Sequence, residues 1–284
     1  MQHISIMVPE VLSLVPTGVH NIVDGTTGHG GHTLAMAQQF PDAKIVAMDR
    51  DVAMLEHARE RCVDIDRISF VNDSYANFAQ YVSGVDFILL DIGVNREHFE
   101  DRSRWFSIHD DGPLDMRFDR TQEKTAATVL QTYSVDELTR IFVEYADFTP
   151  EKSHELALGI VKQRLKERFV TTQGLRHFFW QFGIGKGAVT VLFQALRIEV
   201  NDELWELRRF LETFVSSLSV GGRCGIITFH SIEDRMVKKA FADLVAWGWF
   251  ALVHKKPIKP TRQEVQKNRA SRSALLRCVE KLKN

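Results

Sequence analysis

The chain has 284 residues, 44% of them hydrophobic and 26% charged, with a formal net charge of −1. This is the balance of an ordinary folded protein with room for one large domain, or for one domain interrupted by another, and it excludes a disordered or fibrous chain. The three cysteines, Cys62, Cys224 and Cys278, are far apart and lack C-x-x-C spacing, which argues against a disulfide framework or a zinc site and for a reducing cytoplasm. No basic stretch precedes an apolar run at the N-terminus, and no segment approaches about 18 uninterrupted apolar residues, so neither export nor membrane insertion is expected.

In chain order, HNIVD (20–24) reads as a short strand ending on an acid, followed by the glycine-rich GTTGHGG and the helical stretch HTLAMAQQF. AKIVAMD (43–49) is a second strand leading into the helix DVAMLEHARERC, and RISFVND (67–73) and VDFILLD (85–91) are two more. The last is a continuous apolar run of the kind buried in parallel sheets. Residues 121–182 carry helical spacing, with breaks near Pro150 and Thr171 and no strand run. From about 190 the α/β pattern returns, with a helix through NDELWELRRFLETFVSSL, a Gly-Gly turn at 221–222 and the strand RCGIITF before His230. The expected fold class is α/β: a Rossmann-like sheet built from 1–100 and 190–284, interrupted by a mostly helical insertion at 101–189. Charge is uneven along the chain: residues 254–284 hold ten Lys or Arg against two Glu, a net of +8, leaving −9 on the rest. A basic segment on an acidic body suits a polyphosphate partner, although a charge run alone is as readily a solvated tail.

DGTTGHGG sets Asp24 at the end of strand one and glycines, Gly28 and Gly30 among them, where the backbone must turn tightly and approach a ligand closely. The dinucleotide fingerprint G-x-G-x-x-G has a third glycine that lets a helix pack close behind a pyrophosphate; here that position is Thr33. A nicotinamide cofactor is therefore disfavoured. S-adenosylmethionine carries no phosphate, and an acid on strand two can accept both ribose hydroxyls, the place held by Asp49. Asp91 closes the fourth strand, where open parallel sheets bind their ligands.

Longer stretches agree with this reading: HISIMVPEVL, DGTTGHGGHT, LLDIGV, FSIHDDGPLDMRFD, FQALRIEVNDEL, GGRCGIITFHSIEDRMVK and KKPIKPTRQEVQKNRASRSALLR. In these motifs, in this order and over nearly its whole length, the chain resembles the bacterial 16S ribosomal RNA cytosine-N4 methyltransferases. The resemblance implies a methyltransferase fold with an inserted helical substrate domain, S-adenosylmethionine as cofactor, and a cytosine in the decoding centre of the small ribosomal subunit as acceptor. It carries cofactor contacts onto Gly30, Gly31, His32, Asp49, Phe78 and Asp91, with Phe78 either stacking on adenine or serving as a core aromatic, and puts His98 where the family has a cofactor-binding Gln. The sequence departs from the family pattern at Asn95-Arg96, Tyr145-Ala146-Asp147, GKGAVTVL and NRASRSA. These departures keep two alternatives open: a noncatalytic RNA-binding assembly factor, or a methyltransferase acting on another RNA.

Methyl transfer from a sulfonium is an in-line displacement, so catalysis rests on holding the acceptor nitrogen aligned with the methyl group. Asp91 is the expected catalytic residue, accepting N–H bonds of the cytosine amine and helping to receive its proton. His230 and Ser231, in FHSIEDR, should grip the target base or sugar, while the alternative for His230 is a hydrogen-bonded structural histidine. Lys255, Lys256, Lys259, Arg269, Arg272 and Arg277 are expected on phosphates, with Arg117 and Arg197 adding to the grip and Trp105 and Phe106 either stacking on bases or packing the insertion onto the main domain. Removing residues after His254 is then expected to weaken RNA binding with little change in cofactor affinity. DDGPLDMRFD lacks calcium-loop spacing, and no metal is expected. Oligomeric state stays open.

Overall fold

The computed structural model describes residues 5–93 and 111–283. They form a seven-stranded sheet in the order β3-β2-β1-β4-β5-β7-β6: β1 (Asn21–Asp24), β2 (Lys44–Asp49), β3 (Ile68–Asn72), β4 (Val85–Asp91), β5 (Leu218–Thr228), β6 (Phe250–Leu252) and β7 (Leu275–Lys281). β1 to β5 are parallel, and β7 lies antiparallel between β5 and β6. After β3 the chain crosses back to place β4 on the other side of β1, so the topological switch lies between β1 and β4. That is where a parallel sheet opens a crevice for a ligand.

The strands are apolar on both sides because helices cover both faces. On one face α1 (Val8–Leu14) and α2 (Gly31–Gln39) bury Val11, Leu14 and Met36 against Ile22, Phe87 and Ile227. On the other, α9 (Glu203–Ser217) and α10 (Ser231–Ala246) bury Phe210, Phe214 and Phe241 against Val23, Ile88 and Ile226. Helix α3 (Val52–Arg61) follows β2, with the Asp51 carboxylate capping its first turn. Each large side chain buried in this way contributes about 1.5–3 kcal/mol.

Val94–Glu203 form a second compact unit, whose described helices are α4 (Ala126–Thr132), α5 (Val135–Ala146), α6 (Pro150–Arg164), α7 (Thr172–Gln181) and α8 (Lys186–Asn201). The breaks near Pro150 and Thr171 are helix starts: Thr149 caps α6 with Pro150 in its first turn, and Thr171 caps α7. Ser134 and Glu137 close a capping box at α5.

Three expectations are corrected here. The boundary expected at 190 falls instead between Glu203 and Leu204, because α8 spends its apolar face, Val189, Leu192, Phe193, Leu196 and Val200, on the core of the helical unit. The Gly-Gly turn at 221–222 is an irregularity inside β5, where the register with β4 shifts between Val85 and Phe87. The basic terminal segment is not a tail: it contains β7, whose Leu276, Cys278 and Val279 are buried and whose backbone pairs with β5 and β6.

Candidate active site

β1 delivers Asp24, fully buried, to the switch point. The chain then turns under tight steric control, since a Cβ at Gly25 would come within 2.4 Å of the Leu90 side chain. Thr27 N donates to Met48 O at 2.8 Å and Gly30 N to Thr27 O at 2.8 Å, fixing the loop against β2. Gly28 and Gly30 adopt φ of 52° and 74°, the left-handed region that a side chain disfavours. A Cβ on Gly30 would also sit 3.1 Å from the Ala58 backbone of α3. The glycines thus let the loop pack closely against β4 and α3.

Asp49, at the end of β2, receives Gly28 N on Oδ2 at 2.8 Å and Asp51 N on Oδ1 at 2.9 Å. Two donors fix the carboxylate plane. A carboxylate held in this way can accept a vicinal diol.

Thr33, where a dinucleotide fold has its third glycine, is buried and donates its hydroxyl to Asp24 Oδ2 at 2.6 Å, while Thr26 N donates to Asp24 Oδ1 at 3.4 Å. Asp91, at the end of β4, has its backbone N–H on Thr26 Oγ1 at 2.6 Å and accepts Gly93 N on Oδ1 at 3.3 Å. The ring of His32, on α2, stands beside these acids. Its Nε2 lies 2.8 Å from Ile6 O and its Nδ1 lies 3.9 Å from Asp91 Oδ2. Because a carbonyl cannot donate, Nε2 carries a proton and Nδ1 is the nitrogen left facing Asp91. Burial pushes both aspartate carboxyls above the ordinary carboxylate value, with the His32 ring opposing it. About a fifth of the Asp91 side chain remains exposed, so Asp91 is the member of the group that a ligand can touch.

Other expected site residues lie differently. Phe78 is fully buried and tilted against Phe210 at 5.5 Å between ring centroids. It is a core aromatic with no face free for adenine, a correction that residue type alone could not foresee. His230 is the N-cap of α10: its Nδ1 accepts Glu233 N at 3.4 Å, and Glu233 Oε2 accepts Phe229 N at 2.8 Å and His230 N at 3.3 Å. The histidine expected to grip substrate thus closes a capping box with Glu233, whereas Ser231 is exposed at the start of that helix.

Arg117 is also corrected. Its Nε and Nη2 form a two-pronged pair with Asp115 and its Nη1 donates to the Arg120 and Gln122 carbonyls, which makes it a brace for its own loop. Arg197 forms a similar fork on Glu203 at 2.8 and 2.9 Å. Arg277 forms one on Asp234 at 2.7 and 3.0 Å, tying β7 to α10. His98, Asn95, Arg96, Trp105 and Phe106 lie outside the described residues.

Arg269 and Arg272 are exposed, together with Lys255, Lys256, Lys259, Arg262 and Lys267. Their position follows from strand direction. β7 is antiparallel to both β5 and β6, so β6 runs parallel to β5. Residues 253–274, the connection from β6 to β7, therefore leave the sheet at the end where Asp24, Asp49 and Asp91 terminate their strands. Sequence reading missed Thr26, Thr33 and the Ile6 carbonyl as partners of this group. The available signal was the need of a buried Asp24 for donors, which two nearby threonines could meet.

With a β7 reversed at one side of an otherwise parallel sheet, and a threonine where a pyrophosphate site needs glycine, the architecture is that of the Rossmann-like methyltransferases that use S-adenosylmethionine. Residues 1–282 match the MraW methylase family, and the chain belongs to that family. It is 38% identical to the ribosomal RNA small subunit methyltransferase H of Elusimicrobium minutum, covering 99% of this chain and 98% of that one. The proteins of the same name from Petrotoga mobilis and Rippkaea orientalis are 39% and 37% identical, covering 97% and 98% of this chain and 99% and 92% of theirs.

Proposed function

We propose that the protein transfers a methyl group from S-adenosylmethionine to the exocyclic N4 amine of a cytosine in the decoding centre of 16S ribosomal RNA, in the bacterial cytoplasm. The observation that carries this reading is the placing of the glycine loop, Asp49, Asp91 and the exposed cations of residues 253–274 at one end of the sheet. Gly28, Gly30 and Gly31 offer backbone to the cofactor, Asp49 takes the ribose hydroxyls, and Asp24 with His32 sets the position and charge of Asp91. The acidic ends of β1, β2 and β4 around the glycine loop fit a cofactor that carries a ribose and a net positive charge. When bound, the cofactor supplies an electrophilic methyl on sulfur.

The cytosine amine is a weak nucleophile because its lone pair is delocalised into the ring. The exposed part of Asp91 accepts an amine N–H, which orients the nitrogen and localises its electron pair, and the same carboxylate receives a proton once the methyl has moved. Because N4 sits on the pairing edge, the base must be unstacked or flipped to reach this rim. Arg269, Arg272, Lys255, Lys256 and Lys259 bind phosphate and position the RNA without reading its sequence. Ser231 lies beside that path. The helical unit, 94–203, is the substrate-recognition part.

The test is transfer of labelled methyl from S-adenosylmethionine to small ribosomal subunits lacking the mark, followed by digestion to nucleosides. N4-methylcytidine is the expected product. Cofactor binding without transfer would favour the assembly-factor alternative, and a different modified nucleoside would favour another acceptor.

A further inference from the structure

The unusual feature of the site is how its charge is arranged. Asp24 and His32 are buried, Asp91 is mostly so, and each belongs to a different element: β1, α2 and β4. Their other partners among the described residues are neutral: Thr33 and Thr26 for Asp24, the Ile6 carbonyl for His32, and the Gly93 N–H for Asp91. Among the described residues, the other ionisable groups near them are Glu233, Cys62 and Arg61. Glu233, from α10, helps to raise the Asp91 carboxyl; it is held by the Phe229 and His230 N–H groups, lies against the His230 ring and stands outside the three-site count. Cys62, following α3, has its thiol pushed up by burial and stays neutral, and Arg61 is exposed with its guanidinium on the His29 carbonyl.

We propose that binding of S-adenosylmethionine drives one proton out of the Asp24–His32–Asp91 group, whereas binding of the demethylated product does not. The inference rests on the methyltransferase reading above and deepens it. Charges taken out of water are stable only when they cancel. One imidazole and two carboxyls cancel when the three sites hold two protons between them. The cofactor brings a sulfonium, an ammonium and a carboxylate, a net charge of +1, and covers the part of Asp91 still open to water. Neutrality is then reached with one proton on the three sites, and the second leaves to solvent. Loss of the methyl group turns the sulfonium into a neutral thioether, so S-adenosylhomocysteine adds no net charge and the second proton returns. The group thus distinguishes cofactor from product by charge and leaves Asp91 ionised, able to accept an amine N–H, only while a methyl group is there to be transferred.

The experiment is isothermal titration of the wild-type protein with each ligand in buffers of different ionisation enthalpy, repeated over a range of pH. About one proton released with S-adenosylmethionine and close to none with S-adenosylhomocysteine is the expected result. On the acid side of the free group's second titration, the affinity ratio of cofactor to product should rise by up to about tenfold per pH unit, because the cofactor selects the deprotonated form. Equal proton release with both ligands, or none with either, overturns the inference while leaving the methyltransferase reading intact. Absence of binding by both ligands overturns the two together.

Discussion

Replacing Asp49 with alanine is expected to weaken S-adenosylmethionine binding by two to three orders of magnitude while leaving the sheet folded. The carboxylate has two tasks that can be separated. It accepts Gly28 N and Asp51 N at 2.8 and 2.9 Å, and in the proposed function it also receives the ribose hydroxyls. A hydrogen bond to a charged group is worth about 1.5–3 kcal/mol, and two lost ribose bonds, each near the lower end of that range at a partly open loop, amount to roughly 3–4 kcal/mol. At about 1.4 kcal/mol per decade, that is a hundred- to thousandfold rise in Kd. The two backbone donors lie at a partly open loop where water can replace the carboxylate, so the cost to folding is about 1–2 kcal/mol. Calorimetric titration measures the first effect and thermal melting the second. The ribose assignment is checked separately by comparing S-adenosylhomocysteine with its 2′-deoxy form: the wild type should discriminate between them and the variant should not. A Kd within threefold of wild type, or unchanged discrimination in the variant, would refute the reasoning.

Three other expectations follow from the same geometry. Asp91→Asn should lower kcat for methyl transfer by about a hundredfold or more with a smaller effect on RNA affinity, and single-turnover rates near wild type would remove Asp91 from the chemistry. Replacing Lys255, Lys256, Arg269 and Arg272 together with alanine should weaken RNA binding and flatten its salt dependence by about 0.7–0.9 in the logarithmic slope per lost phosphate contact; cofactor affinity should not move, and an unchanged salt slope would place the RNA elsewhere. Truncation after His254 should give insoluble or unfolded protein, because it removes β7, and Arg277→Ala should lower the melting temperature by stranding Asp234. A soluble truncated protein that still binds cofactor would contradict the place of β7 in the sheet.

The parts of the fold legible in the sequence are those whose signal is local. VDFILLD and KIVAMD are apolar runs ending in acids, and the glycine loop between β1 and α2 declares its own turn. What escaped reading was set by distant partners. β6 has three residues, too few for any period to show, and LLRCVEK alternates apolar with charged residues inside a basic stretch that masks it as a solvated segment. α8 looks equally amphipathic whichever core it joins, so the unit boundary could not be read from its periodicity. Phe78 and His230 show the limit for side chains, since residue type suggests an adenine platform or a catalytic ring while packing makes one a core residue and the other a helix cap. Arg117, Arg197 and Arg277 look like free cations in the sequence, and only folding reveals the carboxylate opposite each. The Asp24–Thr33 pairing was within reach because a buried acid nine residues from a threonine on the next helix needs a donor.

The order of the strands has a consequence for how the chain comes to fold. The helical unit is one continuous stretch, Val94–Glu203, whereas the sheet draws on both sides of it. β7 follows every other strand in the chain yet takes an interior place between β5 and β6. Met7 N donates to the Glu264 carboxylate at 2.7 Å across a separation of 257 residues. Contacts so distant along the chain form late, because the loop they close costs conformational entropy before it returns any packing. During synthesis the helical unit can settle early, while the β1 to β4 half of the sheet waits with the outer edge of β4 unpaired until β5 emerges, and β5 in turn waits for β7. The lower net charge of the body, set against the cations near its end, keeps that waiting half acidic and so soluble. The segment that closes the sheet last is thus the same one that carries the exposed cations of residues 253–274.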